Sequence, residues 1–150
     1  MIGLLQRVTS AAVEVEGSEI ARIGPGLLVL VAVERDDTPV EAERLLERLL
    51  NYRVFADAED RMNLSVTDVE GQLLLVPQFT LAADTKKGLR PGFSTAAPPE
   101  QGRILFEGLL GLARRRFPGV QAGQFGAHMQ VSLVNDGPVT FWIQAQQHGA

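Results

Sequence analysis

Apolar residues fall in short runs along most of the chain, and two stretches show the three-to-four-residue spacing of helices. The run at residues 27–33 is apolar throughout, which is typical of a strand covered on both faces. Other runs, rich in β-branched residues and bounded by turn residues, predict further strands. These predicted strands lie at residues 4–8, 11–15, 18–23, 53–55, 72–76, 129–134 and 140–145.

Two helices are predicted between the strands. The first begins at Thr38, because Thr38-Pro39-Val40-Glu41 combines an N-cap, a proline at the first helical position and a capping-box glutamate. The second begins at Pro98-Pro99 and ends at Pro118-Gly119. The apolar residues expected to face a core are Leu45, Leu46, Leu49 and Leu50 in the first helix, and Ile104, Leu105, Leu109, Leu112 and Ala113 in the second. This mixture predicts an α/β fold with the helices on a sheet face.

Length and composition fit a single domain over residues 1–150. A chain of this size buries about 68–70% of its unfolded surface, and its 45% apolar and 21% charged residues are ordinary for a globular protein. Cysteine is absent, which excludes disulfides and thiolate nucleophiles. Because no apolar run is long enough to cross a bilayer, a soluble cytoplasmic protein is expected.

Charge is distributed unevenly along the chain. The net charge is −4, but residues 1–83 carry a balance of −7 and residues 84–150 a balance of +3. Lys86, Lys87 and Arg90 lie together in a loop-like stretch, residues 84–92. Because a local field steers a phosphate backbone, this loop is a candidate nucleic-acid contact, although a solvated loop is the favoured explanation of the cluster taken alone. Three arginines at 114–116 also suit the negative end of a helix.

Residues for familiar hydrolytic chemistry are scarce. The two histidines are His128 and His148, and neither belongs to a metal-binding pair or a nucleophile motif. Thr80 could in principle act as a nucleophile, but no base lies near it in sequence, and a β-branched residue at a strand end needs no catalytic explanation. The sequence therefore disfavours a side-chain triad and a metal-dependent hydrolase.

An unusual turn motif stands near the C-terminus, at Asn135-Asp136-Gly137-Pro138-Val139-Thr140. Asn-Asp-Gly favours a tight turn, and the proline that follows cannot donate to a strand partner. The motif predicts a turn between two pairing strands, and its Gly137-Pro138 bond is of the X–Pro type that tolerates the cis form.

Two motifs together resemble the D-aminoacyl-tRNA deacylase family, which has a Ser-Gln-Phe-Thr-Leu stretch and an Asn-x-Gly-Pro-x-Thr stretch. Here they correspond to residues 78–81 and 135–140. The resemblance extends over nearly the whole chain. Further similar stretches lie at residues 4–8, 23–29, 53–55, 62–66, 84–88, 96–99 and 129–133. The resemblance implies three layers, with helices over one sheet and a second sheet behind it.

The resemblance also implies a mechanism without metal or organic cofactor. The family cleaves the ester of D-aminoacyl-tRNA, and the ribose hydroxyl beside the ester assists the attack of water. The protein would contribute orientation and backbone N–H donors, so Gln78, Phe79 and Thr80 are the implied catalytic residues. Lys86, Lys87 and Arg90 become the implied tRNA-binding residues.

Chiral selection is implied at the second motif. In the family, the Gly-cisPro pair of one subunit enters the active site of its partner in a homodimer. By this resemblance Gly137 and Pro138, with Met129 and Asn135, would bind the substrate and exclude L side chains. Glycine has no side chain to exclude, so glycyl-tRNA(Ala) is an expected second substrate.

Two positions depart from the family pattern, and other functions stay open. Pro77 replaces the usual serine, which removes a hydroxyl and an N–H at the edge of the site, and His128 replaces an acid. A related deacylase family of relaxed chirality resembles the chain at Pro77 but has alanine in place of Phe79. The alternatives are such a relaxed enzyme, a non-catalytic tRNA-binding module, and a dimeric scaffold without an RNA partner.

Overall fold

Eight strands, two helices and one 3-10 turn form the part of the chain that the computed structural model describes, residues 1–146. The strands are β1 (Ile2–Val15), β2 (Ser18–Ile23), β3 (Gly26–Ala32), β4 (Phe55–Ala56), β5 (Met62–Leu64), β6 (Gln72–Pro77), β7 (Val120–Ala122) and β8 (Met129–Gln144). The helices are α1 (Pro39–Asn51) and α2 (Pro99–Arg116), and the 3-10 turn is Phe79–Ala82. The predicted α/β fold is confirmed.

Strand β1 organises the main sheet. One edge of β1 pairs with β8 along nearly its whole length. Its other edge pairs with β3 through residues 2–8 and with β2 through residues 11–15. Beyond β3, the parallel strands β6 and β7 extend the sheet, while β4 and β5 form a separate small hairpin. The two halves of β1 therefore belong to different parts of the sheet.

Two apolar clusters lie on opposite faces of β3 and β6. Leu27, Val29 and Val31 belong to the cluster beneath the helices, whereas Leu28 and Leu30 contact the cluster formed with β2 and the second half of β1. Alternation of this kind follows from the two-residue period of a strand. The result is three layers: helices, the main sheet, and behind it a layer made of β2 with the adjoining halves of β1 and β8. That layering confirms the expectation drawn from the resemblance.

Helix α1 begins as the sequence predicts. The Thr38 hydroxyl accepts from the N–H of Val40 at 3.2 Å, and the Glu41 carboxylate accepts from the N–H of Thr38 at 2.7 Å, which completes the capping box. Burial opposes ionisation of Glu41, but the hydrogen bonds from the Thr38 hydroxyl and N–H outweigh it and lower the pKa of this carboxyl. The four leucines predicted to face the core of this helix are buried.

Helix α2 corrects one predicted core residue. Leu105, Leu109 and Ala113 are buried at a spacing of four residues, as predicted. Ile104 is 56% exposed, because it precedes the buried row by one residue and therefore points about 100° away from it. No helix within residues 1–146 is long and apolar enough to span a membrane.

The strand predictions were wrong in two places. Residues 4–8 and 11–15 form one strand, β1, because the polar residues between them keep pairing with β8 on one edge. Residues 129–134 and 140–145 do not pair with each other across a turn: both belong to β8 and pair with β1. The short strands β5 and β7 were not predicted, since three residues carry too little periodicity.

Candidate active site

The segment Gln78-Phe79-Thr80 lies where β6 leaves the sheet. The N–H of Gln78 makes the last ladder bond, to the Val31 carbonyl at 2.7 Å, and the chain then turns into the Phe79–Ala82 turn. Within the described residues, the N–H groups of Phe79 and Thr80 donate to no protein acceptor. Phe79 is 58% exposed and Thr80 is also exposed. Two adjacent backbone donors are thus available to a ligand at this strand end.

Pro77 fits at the end of β6 without loss of a sheet hydrogen bond. The next N–H, that of Gln78, points toward β3, so the nitrogen of Pro77 faces the opposite side of the strand. On that side β7 pairs only as far as Ala122, opposite Leu75. The ladder on that side ends with the bond from the N–H of Gly123 to the Leu75 carbonyl, at 2.9 Å, so Pro77 stands beyond the last observed bond and interrupts none of them.

Two cavities adjoin Gln78. One, of about 290 Å³, is mainly apolar. Its lining comprises Val31, Val33, Pro77, Gln78, Phe79, Ala97, Pro99, Gly102, Phe106, Phe125, Gly126, Ala127 and Met129. The other, of about 370 Å³, lies over the layer behind the sheet. Its lining comprises Gln6, Leu28, Leu30, Val76, Pro77, Gln78, Ala127, His128, Met129, Val131 and Leu133. Gln78 and Met129 line both, so the two cavities meet at these residues.

Ionisable groups are nearly absent from the cavity walls. The apolar cavity has none, and His128 is the one titratable side chain that lines the other. His128 is exposed, and its Nε2 lies 3.3 Å from the Nε2 of Gln130. No described side chain hydrogen-bonds the Thr80 hydroxyl. The geometry therefore supplies backbone donors at this site without a positioned acid, base or activated hydroxyl.

Gly137 and Pro138 lie in an excursion of β8. Val8 pairs with Asn135 and Gln6 pairs with Thr140, so the single residue Arg7 stands opposite residues 136–139. The peptide bond between Gly137 and Pro138 is cis, as predicted, and both residues are exposed. The excursion, meaning residues 136–139, projects from the strand pair instead of closing a hairpin.

Asn135 closes the base of the excursion. Its side-chain amide donates to the Thr140 hydroxyl at 2.9 Å, and its side-chain oxygen accepts from the N–H of Val139 at 3.1 Å. Val139 is buried beneath the helices, which anchors the returning chain. The side chain of Asn135 therefore shapes the excursion and is occupied by these two bonds.

The structure brings only some of the predicted site residues together within one chain. Gln78, Phe79 and Met129 come together around the apolar cavity. Asn135, Gly137 and Pro138 line neither of the two cavities. In a single chain, the two motifs therefore lie in separate places.

Arg7 was missed by the sequence predictions. Its guanidinium donates to the backbone carbonyls of Val54 and Asp136, and it lies beside Gly137. The signal available in the sequence was an arginine within the predicted strand at residues 4–8, and its side chain is only 16% exposed in the structure. A buried charge needs partners, so such a residue is worth flagging.

The basic residues Lys86, Lys87 and Arg90 are exposed on the loop that follows the Phe79–Ala82 turn. Asp84 and Gly92 close this loop through two backbone hydrogen bonds, of 2.7 and 3.0 Å. The closed loop presents its three cations to solvent. It follows the turn that begins at Phe79, and the ring of Phe93, just after the loop, contacts the ring of Phe79.

The fold and the site define a small α/β protein with helices over a folded-back sheet and backbone donors at a strand end. A solved structure titled "c-Myc DNA Unwinding Element Binding Protein" superposes with a TM-score of 0.93, at 38% identity over 97% of this chain and 99% of that chain. A second, titled as a probable eukaryotic D-amino acid tRNA deacylase, superposes with a TM-score of 0.79 at 18% identity, covering 95% of this chain and 98% of that one. The second likeness shows the fold alone.

The chain belongs to the D-Tyr-tRNA(Tyr) deacylase family, whose model matches residues 4–144. Curated relatives are named D-aminoacyl-tRNA deacylase. The protein of Nitrosococcus oceani is 66% identical over 96% of this chain and 93% of its own length. That of Alkalilimnicola ehrlichii is 60% identical over the full length of both chains. Membership in this family, which is one of hydrolases, confirms the resemblance drawn from the two motifs.

Proposed function

We propose that this protein hydrolyses the ester that joins a D-amino acid to the terminal adenosine of tRNA. The observation that carries the proposal is the pair of unoccupied N–H groups on Phe79 and Thr80, next to cavities that hold no positioned base. Such a site suits a reaction whose developing negative charge needs donors and whose proton transfers are handled by the substrate. Family membership supplies the substrate class.

The two N–H groups would stabilise the oxyanion of the reaction. Water attacks the ester carbonyl carbon, and the carbonyl oxygen takes up negative charge until the bond to the ribose oxygen breaks. Donors fixed by the backbone need no reorganisation, and each contributes about 10²–10³-fold in rate. Because Phe79 and Thr80 lie at the rigid end of β6, their direction is set by the sheet.

The hydroxyl on the ribose carbon next to the ester would assist the water. It can orient the attacking oxygen and relay its proton to the departing ribose oxygen, which leaves free tRNA and a free amino acid. Neither Thr80 nor His128 is then required as a base. Positioning of this kind is worth several orders of magnitude when the reacting atoms are held in contact.

The apolar cavity is suited to the terminal adenine. Phe125 stands in its wall, packed on the buried ring of Phe106 with ring centroids 6.4 Å apart, and offers an aromatic surface for a purine. Its position against Phe79 would leave the ester beside the two backbone donors. The aminoacyl group would then lie toward Met129 and the second cavity.

Chiral selection would come from the excursion of a second copy of the chain. Because Gly137 and Pro138 line neither cavity of their own chain, their exposed backbone is available to a partner. Backbone carbonyls accept from the ammonium group of the substrate, and the surrounding main chain would obstruct an L side chain while leaving a D side chain free. Glycine passes the same filter, so glycyl-tRNA(Ala) is a second substrate.

The homodimer has a candidate surface on β8. Val131, Val134 and Trp142 are exposed by 36%, 56% and 53%, on the strand that carries the excursion. Exposed apolar residues gathered on one strand are typical of an interaction face. A second copy that binds there would bring its excursion toward the first chain. The compartment proposed for this dimer is the cytoplasm, where tRNA is charged.

Two alternatives give different results in one assay. Hydrolysis is measured on D-tyrosyl-tRNA, L-tyrosyl-tRNA and glycyl-tRNA(Ala). Binding of tRNA is measured over a series of salt concentrations. The proposal requires rapid loss of the D and glycyl esters with the L ester preserved. Equal loss of the D and L esters would favour the relaxed-chirality enzyme, which Pro77 permits. Binding that protects every ester would favour a non-catalytic tRNA-binding module.

Contact with the tRNA backbone is proposed for Lys86, Lys87 and Arg90. The logarithm of the binding constant should then fall with the logarithm of salt, by about 0.9 for each phosphate neutralised. Replacement of all three by alanine should flatten this slope, whereas replacement of Arg114 and Arg115, at the far end of α2, should not. If the wild-type protein has no salt-dependent affinity for tRNA, the result would favour a dimeric scaffold without an RNA partner.

A further inference from the structure

Two aromatic side chains form an exposed pair beside the active site. The rings of Phe79 and Phe93 lie with their centroids 5.3 Å apart and their planes inclined by 51°. Phe79 is 58% exposed and Phe93 is 42% exposed, so a large part of both rings faces solvent. We call this pair the aromatic platform. Exposure of two phenylalanines in contact costs hydrophobic free energy, which a ligand would recover.

The segments that carry the platform are held by hydrogen bonds to their backbone carbonyls. Beside Phe93, the Ser94 carbonyl accepts from the Arg35 side chain at 2.9 Å, and the Thr95 carbonyl accepts from the Arg35 N–H at 3.0 Å. The Thr95 hydroxyl donates to the Ala82 carbonyl, at the end of the Phe79–Ala82 turn. The segments that carry the two rings are therefore tied together, and the rings keep their relative position.

The loop that leads to Phe93 carries a net positive charge. The loop that ends at Phe93 carries Lys86, Lys87 and Arg90, against one acid, Asp84. The Asp84 carboxylate already accepts from the N–H of Lys86 at 2.9 Å. Leu89, at the tip of the same loop, is fully exposed. Aromatic faces within a basic loop are the arrangement that binds an unpaired nucleic-acid strand, in which bases stack and phosphates meet cations.

We propose that the aromatic platform stacks the unpaired nucleotides that precede the terminal adenosine of the tRNA. This inference rests on the proposed function, which places the terminal adenosine beside Phe79. The preceding bases must then leave the site past the neighbouring surface, where Phe93 and the three cations lie. Stacking requires unpaired bases, since the faces of paired bases are already covered in a duplex. The platform would thus guide the single-stranded end of the substrate into the site.

The platform does not read sequence. Every base has a π face, so stacking on Phe93 tolerates any nucleotide. The protein could therefore grip the common 3′ end of many tRNAs while the amino acid alone decides whether the ester is cleaved. Phe79 takes part in both tasks, because its ring belongs to the platform and its N–H to the oxyanion site.

A spectroscopic test uses the fluorescent base 2-aminopurine. It is placed immediately before the terminal adenosine of an uncharged acceptor-stem RNA, and binding to the full-length protein is followed by fluorescence. Stacking on the platform quenches this fluorophore, so we expect quenching with the wild type and with Phe93→Tyr. Phe93→Leu, which keeps an apolar side chain against Phe79 without a π face, should bind with the fluorescence restored. Ile104→Ala, an exposed apolar control on α2, should behave as wild type.

A kinetic test compares two substrates, D-tyrosyl-tRNA and D-tyrosyl-adenosine, which lacks the preceding nucleotides. Phe93→Leu should lower the ratio of kcat/KM for tRNA to that for adenosine by roughly 5- to 150-fold, the effect of one lost base–aromatic stack. Phe93→Tyr should restore the ratio, and Ile104→Ala should leave it unchanged.

Three results would overturn the platform. These are wild-type fluorescence that is not quenched on binding, a substrate ratio that Phe93→Leu does not alter, and a shift of Phe93→Leu to monomers in sedimentation, which would assign the pair to a subunit contact. Failure of the proposed function is distinguishable: a wild type that cleaves neither substrate would disprove the hydrolase, while the fluorescence of the uncharged RNA would still decide the platform.

Discussion

The side chain of Arg7 holds the backbone of Asp136 in place. Its Nε donates to the Asp136 carbonyl oxygen at 3.1 Å, and another guanidinium nitrogen donates to the Val54 carbonyl oxygen at 2.7 Å. The Asp136 carboxylate lies 3.5 Å from the same Nε. One side chain from β1 therefore ties the start of the excursion to the body of the domain. Guanidinium presents several donors in a fixed plane, so two of its nitrogens each serve one of these carbonyls.

Removal of the Phe79 N–H should slow the reaction more than removal of its ring. Phe79→Pro and Phe79→Ala both lose the aromatic side chain, but only proline lacks the N–H. The preceding residue, Gln78, has φ −145° and ψ 82°, which lies outside the α region that a following proline disfavours. We expect kcat for D-tyrosyl-tRNA to be about 10²–10³-fold lower in Phe79→Pro than in Phe79→Ala. Equal rates for the two variants would remove Phe79 from the oxyanion site.

Thr80→Ala should keep most of its activity. The hydroxyl of Thr80 has no hydrogen-bond partner among the described residues, and alanine preserves the N–H that we assign to the oxyanion. The rate of D-tyrosyl-tRNA hydrolysis is the measurement, with Thr9→Ala, at an exposed position of β1, as a control for loss of a threonine hydroxyl. A loss near 10⁴-fold, which is typical of a missing nucleophile, would instead indicate a covalent threonyl intermediate.

A 2′-deoxy terminal adenosine should abolish most turnover. The ester is then attached to the 3′ oxygen with no neighbouring hydroxyl, so the water loses the group that orients it. Binding should persist, since phosphates and bases are unchanged. Turnover and affinity are measured on the same D-aminoacyl-tRNA with and without the hydroxyl. Undiminished turnover would require a protein base, and His128 would be the first to replace.

Mixed dimers should reveal which subunit the excursion serves. In Gly137→Ala the new Cβ would lie 2.7 Å from a Val139 methyl, at a φ of +133° that alanine rarely adopts, so the excursion should be distorted. Phe79→Pro leaves the excursion intact but impairs the site. Each variant alone should be nearly inactive. Refolded together in equal amounts, they should regain about a quarter of the wild-type activity, because half of the dimers contain one complete site.

The mixed-dimer result has a clear contrary outcome. If the excursion completed the site of its own chain, no combination of the two variants would contain an intact site, and the mixture would stay as inactive as its parts. A protein that is monomeric at assay concentrations with full D selectivity would also contradict the cross-subunit arrangement.

The stability contributed by Glu41 should depend on pH. Hydrogen bonds from Thr38 lower the pKa of Glu41 in the folded chain, so its ionised form stabilises the fold above the usual value of 4.5, and this contribution is lost as pH falls through the folded pKa. Glu41→Gln should therefore lower the free energy of unfolding by about 1 kcal/mol at pH 7. The difference from wild type should shrink in acid.

Urea unfolding at one fixed protein concentration measures this effect. Glu47→Gln, a change at an exposed position of the same helix, should have little effect at either pH. A deficit for Glu41→Gln that is equally large at pH 7 and in acid would mean that the lost interaction does not involve the carboxylate charge.

Local signals in the sequence predict the helices and central strands well. The capping box at Thr38 predicts where α1 begins. The unbroken apolar run of β3 indicates that both faces of this strand are covered. The excursion of β8 could not be predicted in the same way. Asn-Asp-Gly-Pro specifies that the chain leaves a strand, but it does not specify whether the flanking strands pair with each other or with a third strand. That outcome depends on β1, more than a hundred residues earlier.

Candidate site residues could be predicted where they belong to a motif of the resemblance. They could not be predicted where only tertiary contacts bring them to the site. Gln78 and Phe79 belong to a recognisable motif, and the structure shows that their neighbourhood is one strand end. Arg7 and Phe93 carry no motif of their own. Their importance arises from what they contact, Asp136 in one case and Phe79 in the other.

Four residues of β8, 136–139, lie opposite the single residue Arg7 and take no part in the pairing with β1. A residue inserted within either paired part of β8 would reverse the side chains beyond it and expose core residues. A residue inserted among 136–139 would leave the pairing on both sides unchanged. It would only lengthen the projection, by up to about 3.3–3.6 Å of chain. The reach of the excursion can therefore vary through small insertions and deletions while the three layers stay intact.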